Sequence, residues 1–438
     1  MLNPGVAVRW GRLGLVGLVA AGTLGARPFG VELPSWIGTP RNDKAPWDWR
    51  DPVHRKAGAG DGKARMIYGP LYITRITQQE ETGANVLEAV TQGGAWNKRE
   101  LASPVFDPSS GLVLLGTSDK HFYGVSVKSG DPVWREKLEG RVSSTPMTEG
   151  ENVLFGADDG AIYSMRKATG VRNWRYQADA EITAPLRILG DRVFAHTAQD
   201  TLVCVRKSTG EWLWQVRHPL PVGISLLGEG APAAGVLLRD GDAPVEVVFV
   251  GHADGSVSAL EASDGHLLWS TPLAKGDDFL DVDSDLVYDG GVLYAAAFHG
   301  GVFALDPASG ATLWTNDKVD SVNRLAVTAS YVILAGPKQV VALSRADGKV
   351  HWRFAFPSGG ASTPVVHRGR VMVSTDRGAM YVLNITDGRP LQYYGGKPGF
   401  TGSPAVYRDM AFLLSNGGYL HALSDRYAGS MAGQRLPW

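Results

Sequence analysis

From about residue 100 the chain repeats one order of apolar and polar positions. Each copy has a Ser/Thr/Ala-Pro start, an apolar strand, a short turn, an alternating strand, a glycine turn and a strand carrying tryptophan. Segments such as SVSALEA (256–262) and GVFALDP (301–307) alternate faces at period two. VVFVG and VLYAA are apolar almost throughout, as expected of strands covered on both sides. Asp-Gly and Ser-Gly dipeptides between them allow the positive φ that joins two right-twisted strands tightly. Pro104, Pro146, Pro185, Pro364 and Pro404 stand at the start of the first strand of their copies, where a missing N–H does least harm.

The copies end in KSGDPVW, KATGVRNW, KSTGEWLW, ASDGHLLW, PASGATLW and RADGKVHW. Trp134, Trp174, Trp214, Trp269, Trp314 and Trp352 each stand four residues after Gly130, Gly170, Gly210, Gly265, Gly310 and Gly348, so the glycines are spaced 40, 40, 55, 45 and 38 residues apart. That is the length of one four-stranded blade, and the pattern predicts an all-β, eight-bladed β-propeller of four-stranded antiparallel blades. The tryptophans are expected to fill the space between neighbouring blades as structural anchors.

Middle hairpins number eight, around Asp119, Gly160, Asp200, Gly255, Gly300, Lys338, Gly378 and Gly417, yet only seven outer strands follow them. The seventh, DGRPLQYYGG (387–396), places tyrosines where the tryptophan is expected. MIYGPLYITRI (66–76) is the natural candidate to complete the last blade, closing the ring with an N-terminal strand and removing open edges.

The N-terminus reads differently. Arg9 and Arg12 precede an apolar run, Leu13 to Ala26, that is short for a bilayer span, so residues 1–26 read as an export signal, cleaved after Gly22 or Ala26, or as an N-terminal anchor. Residues 27–65 form a Pro/Gly/Trp-rich linker in which Trp36, Trp47 and Trp49 offer docking contacts. The propeller takes 66–427, and 428–438 is a C-terminal tail.

With a formal net charge of −1, the 438-residue chain has no field that gathers phosphate, and nucleic acid is not expected as a partner. The single cysteine, Cys204, lies in an apolar strand and excludes an intramolecular disulfide. Ten histidines are scattered with no zinc spacing, and His121, His196, His252 and His299 read as surface or satisfied strand residues. Asp281, Asp283 and Asp285 alternate in GDDFLDVDSD, but Leu286 and Val292 stand where an EF-hand loop needs glycine and glutamate. No catalytic residue, cofactor or metal is expected. The repeats resemble those of PQQ-dependent dehydrogenases. Those enzymes orient their quinone with adjacent cysteines and a calcium site, neither of which this sequence matches, so an enzyme of that kind is the last of the readings.

The two long intervals flank the fourth repeat, and their extra residues are expected to fall largely between the tryptophan strand of one blade and the first strand of the next. HPLPVGISLLGEGAPAAG (218–235) and AKGDDFLDVDSD (274–285) are therefore expected side by side on one face, displaying Ile224, Leu226, Leu227, Phe279 and Leu280 beside carboxylates.

At these residues the chain resembles the BamB family of outer-membrane protein assembly factors, across roughly 65–427. The likeness is closest in ISLLGEGAP (224–232), in DVDSDLVYDGGVLYAAAFHGGVFALDPASGATLW (281–314) and in the closing hairpin. In that family a Leu-x-Leu-Arg-Gly-Glu run and an Asp-x-Asp pair grip the periplasmic POTRA region of the barrel-inserting subunit. The resemblance carries this partner-binding role to Ile224, Leu226, Leu227, Gly228, Asp281 and Asp283, with Leu227 standing where the family has arginine. It implies a non-catalytic periplasmic scaffold, a monomer within a hetero-complex at the outer membrane, with unfolded barrel precursors as a further partner. The chain departs from the family in lacking a lipobox cysteine. The alternative is an exported propeller serving another envelope complex as an interaction or ligand-sensing module.

Overall fold

The computed structural model describes residues 68–77, 100–221, 230–238, 243–273, 282, 284–297, 300–319, 324–357, 359–395 and 399–425. They form eight four-stranded antiparallel sheets, each with its strands in sequence order except the last. The first blade runs Val105–Asp107, Leu112–Gly116, His121–Ser126 and Pro132–Lys137, and the next six repeat the plan. First strands touch between blades 1 and 2, 3 and 4, 4 and 5, 5 and 6, and 7 and 8, and that of blade 8, Ala405–Tyr407, touches that of blade 1. The ring is thus closed, with short first strands inside and tryptophan strands outside.

Each gap between blades holds one cluster of buried apolar side chains, eight in all. Leu114 and Phe122 of blade 1, for instance, meet Phe155 and Tyr163 of blade 2, with the Phe122 and Phe155 rings stacked at 4.1 Å. A blade buries both faces only against its neighbours, so the core is a set of seams rather than one centre.

The repeated tryptophan explains the seam. Every tryptophan strand carries a β-bulge one residue before the tryptophan: Cys204 pairs with Trp214 and Val205 with Trp212. The bulge adds twist and turns the indole out of its own blade. Its Nε1 then donates to a carbonyl of the next blade: Trp134 to Lys167, Trp174 to Lys207, Trp214 to Ala262, Trp269 to Pro307, Trp314 to Arg345 and Trp352 to Ile385, all at 2.8–3.2 Å. Three residues beyond each acceptor stands a turn glycine under the ring. At Gly170 (φ +72°) a Cβ would come within 2.5 Å of the Trp134 indole, so the position needs glycine for its backbone conformation and for its lack of a side chain.

The closing strand, Gly69–Arg75, pairs antiparallel with Tyr419–Ser424 and completes blade 8. It repeats the latch. Pro70 and Tyr72 bracket a bulge in the same way as Pro132 and Trp134, and Tyr72 lies over Gly130 of blade 1, its hydroxyl 3.4 Å from the Ser126 carbonyl. At the seam between blades 7 and 8 the expectation of tyrosines needs correction. The residue in tryptophan register is Gln392, paired with Val382 as Trp352 is with Ala342. Its side-chain amide accepts from Tyr68 N (2.7 Å) and donates to Tyr68 O (2.8 Å). An amide grips backbone there because the neighbour is the start of the inserted strand, not a glycine turn.

A second correction concerns the longest interval, from Gly210 to Gly265. The outer strand of blade 3 ends at Arg217 and blade 4 begins at Ala233, against Gln177 and Arg187 one blade earlier. The rest of the extra length lies in the first hairpin of blade 4, where Ala233–Leu237 pairs with Val245–Phe249, against Arg187–Leu189 with Arg192–Phe194. Antiparallel strands alternate in direction, so this hairpin projects from the face opposite to the long connection.

Candidate functional site

One face of the ring carries the middle hairpins and the connections between blades. Here the sequence predicts the interaction residues. Ile224, Leu226, Leu227, Gly228, Asp281 and Asp283 lie outside the described residues, as do Phe279 and Leu280. The structure does describe where both long connections return to the ring. Asp285 Oδ1 accepts from Ala231 N at 2.9 Å, and Leu286 N donates to Ala231 O at 2.9 Å. The Ser284 hydroxyl accepts from Ala296 N at 2.9 Å, and Val282 packs against Gly251 while its N–H donates to the His252 carbonyl at 3.1 Å. The returning ends of the two connections are therefore joined to each other and to blades 4 and 5.

Beneath them lies a cluster of polar side chains that the strand pattern alone did not signal. His196 is the penultimate residue of the second strand of blade 3 and Asp200 stands in the hairpin after it; His252 follows the second strand of blade 4. All three are almost fully buried. Asp200 Oδ1 lies 2.9 Å from His196 Nε2 and 2.8 Å from His252 Nδ1, and Oδ2 accepts from Ala253 N at 3.1 Å. His196 Nδ1 faces the Gly230 carbonyl at 3.4 Å, and His252 Nε2 faces the Ser258 hydroxyl at 3.0 Å. The half-exposed His218 ring stacks on His252 with centroids 3.9 Å apart, and its Nε2 meets Asp254 Oδ2 at 2.8 Å.

Electrostatics follow burial and pairing. Burial alone raises the Asp200 carboxyl, but the two imidazoles beside it hold it well below the usual carboxylate range. Burial lowers the His252 pKa against the pull of Asp200, which favours the neutral imidazole. Asp254 is also held low: hydrogen bonds from Ser256 and His218 outweigh its desolvation.

The family model described as outer membrane protein assembly factor BamB matches residues 75–221, 174–336 and 300–430, overlapping segments that together run through every blade. The chain belongs to the BamB family. Among relatives, the BamB of Legionella pneumophila (strain Paris) is 27% identical over 205 residues, 44% of this chain and 53% of its own length. That of Yersinia pestis is 29% identical over 220 residues, 48% of this chain and 53% of its own. The chain spans about half the length of the curated relatives it matches. Among solved structures, BamB from Moraxella catarrhalis superposes with a TM-score of 0.65 at 19% identity, covering 82% of this chain and all of that one. Quinohemoprotein alcohol dehydrogenase from Comamonas testosteroni gives 0.63 at 13% identity, covering 85% and 78%. At these identities both carry the fold alone.

In this BamB-family propeller the six tryptophans lie in the seams between blades. The histidine cluster was missed because its members come from two blades, His196 and His252 standing 56 positions apart. The available signal was positional: both histidines lie near the end of a second strand, just before a middle hairpin, in consecutive repeats.

Proposed function

We propose that this protein is a non-catalytic periplasmic scaffold of the outer-membrane β-barrel assembly machine, and that the face bearing residues 218–235 and 274–285 binds the POTRA region of the barrel-inserting subunit. Family membership supports the class of role, and the observation that carries the choice of face is the junction of Ala231 with Asp285 and Leu286. Rooting the two connections on one another brings their ends together, which supports reading their intervening residues as one hot-spot surface. Ile224, Leu226 and Leu227 supply apolar anchors and Asp281 and Asp283 a charged rim. Seams built from buried side chains make the ring a stiff platform, so binding asks little reordering of the blades. Unfolded barrel precursors are a second partner, adding strands at the outer edges of the blades.

The test is co-purification from detergent-solubilised envelope. A variant carrying Asp281→Ala, Asp283→Ala and Leu226→Arg should lose the barrel-inserting subunit while keeping the melting temperature of the parent protein. Retention of that subunit by the folded triple variant rejects the assignment of the face. Capture of an unrelated envelope complex by the parent protein rejects the role.

A further inference from the structure

The polar cluster under the two connections has the arrangement of a metal site. Placing the ring protons on His196 Nδ1 and His252 Nε2 satisfies the Gly230 carbonyl and the Ser258 hydroxyl, and Asp200 Oδ2 is already held by the Ala253 N–H. His196 Nε2, His252 Nδ1 and Asp200 Oδ1 then turn lone pairs on one another, within 4.8 Å. Such convergence needs a cation, and each donor has the outer partner that fixes a metal-binding imidazole or carboxylate in orientation. Asp200 itself is held at φ +54°, a conformation aspartate tolerates better than most residues, and its carboxylate thereby sits between blades 3 and 4.

We propose that His196, Asp200 and His252 bind one divalent transition-metal ion of the zinc class. Two imidazole nitrogens and a carboxylate oxygen suit zinc or cobalt and offer too few oxygens for calcium. A tetrahedral shell with bonds of about 2.0–2.1 Å separates its ligands by roughly 3.3 Å, so Asp200 Oδ1 moves off each nitrogen by about half an ångström and the two imidazole nitrogens, within 4.8 Å of one another, close by up to about 1.5 Å. Three protein ligands leave one coordination position. The His218 ring covers His252 from the half-exposed side, with its own Nε2 engaged by Asp254. The Gly230 and His252 carbonyls tie the site to both connections, so the ion fixes the base of the face without touching a partner.

The full chain, stripped with a chelator and dialysed, is titrated with Co²⁺ and Zn²⁺. Visible Co²⁺ absorption saturating at one equivalent and bleached by Zn²⁺ is expected, together with a melting temperature raised by Zn²⁺. Ser258→Ala removes the outer partner of His252, along with the Ser258–Ser270 hydroxyl contact, but no ligand, and about 10- to 100-fold weaker Zn²⁺ binding is expected. Asp200→Asn should abolish the Co²⁺ spectrum, while His266→Ala, at an exposed turn, should leave it unchanged. Absence of Co²⁺ absorption and of a Zn²⁺ shift in the folded parent protein overturns the proposal and leaves a proton as the bridging cation. A signal that survives Asp200→Asn with parent-like affinity overturns it as well. Metal uptake is read without any partner, so it stands or falls separately from POTRA binding.

Discussion

Lys167 joins two blades twice. Its carbonyl accepts from Trp134, and its ammonium pairs with Asp107 of blade 1 at 3.1 Å, both side chains being buried. Asp107 is fully satisfied, since its other oxygen accepts from Ser109 Oγ, Ser110 N and Ser110 Oγ. Burial raises the Asp107 pKa, but hydrogen bonds from Ser110, Ser109 and Lys167 bring it down to about 2. A carboxyl depressed in this way adds stability that is present above its unfolded pKa of about 3.9 and is lost as pH falls through about 2, a contribution of ~2 kcal/mol. Urea unfolding should therefore show Asp107→Asn less stable than the parent protein at pH 7, with the gap narrowing below pH 3. Lys207 with Glu149 and Arg345 with Asp289 repeat the contact nearer the surface, at 3.0 and 2.7 Å, where an ion pair contributes less. For the indole latch, Trp174→Phe keeps the ring but leaves the Lys207 carbonyl without its donor. Equilibrium unfolding should read a loss of about 1–2 kcal/mol.

At the level of strands, the bulge before each tryptophan is what turns a sequence period into a seam. The position of each tryptophan could be read along the chain because glycine and tryptophan keep a fixed offset within each copy; its partner in the next blade could not, because that glycine belongs to another copy. The closing strand was legible from a count, eight hairpins against seven outer strands. Its register was not, since nothing local says that Tyr72 of GPLY takes the place of an indole. Gln392 was hidden for the opposite reason: two tyrosines follow it, and only the pairing of Val382 with Gln392 shows which residue faces the seam. Deleting residues 66–76 uncovers the edge of Tyr419–Ser424 and the seams on both sides of blade 8. Calorimetry should show a clearly lower melting temperature; an unchanged one contradicts the closure.

Across the whole molecule, seams were easier to foresee than faces. A seam repeats eight times and leaves a period in the sequence, whereas the histidine cluster occurs once among the described residues and depends on which blades become neighbours. The excess length around the fourth repeat was visible, but its division between the connection ending at Ala233 and the hairpin Ala233–Phe249 depended on strand ends that turn signals alone did not fix.

The last blade also sets an order of events. Arg75 and Tyr419 are paired although 344 positions separate them, so the strand made first waits for the strand made last. Seven blades can assemble from near neighbours as the chain emerges, each resting on the one before. During that interval the ring is an open arc with apolar flanks at both ends. Closure is a single late step, and a chain released short of Ser424 remains an arc, exposed to aggregation and proteolysis. Completion of the ring thus marks the moment at which eight separate sheets become one continuous set of seams.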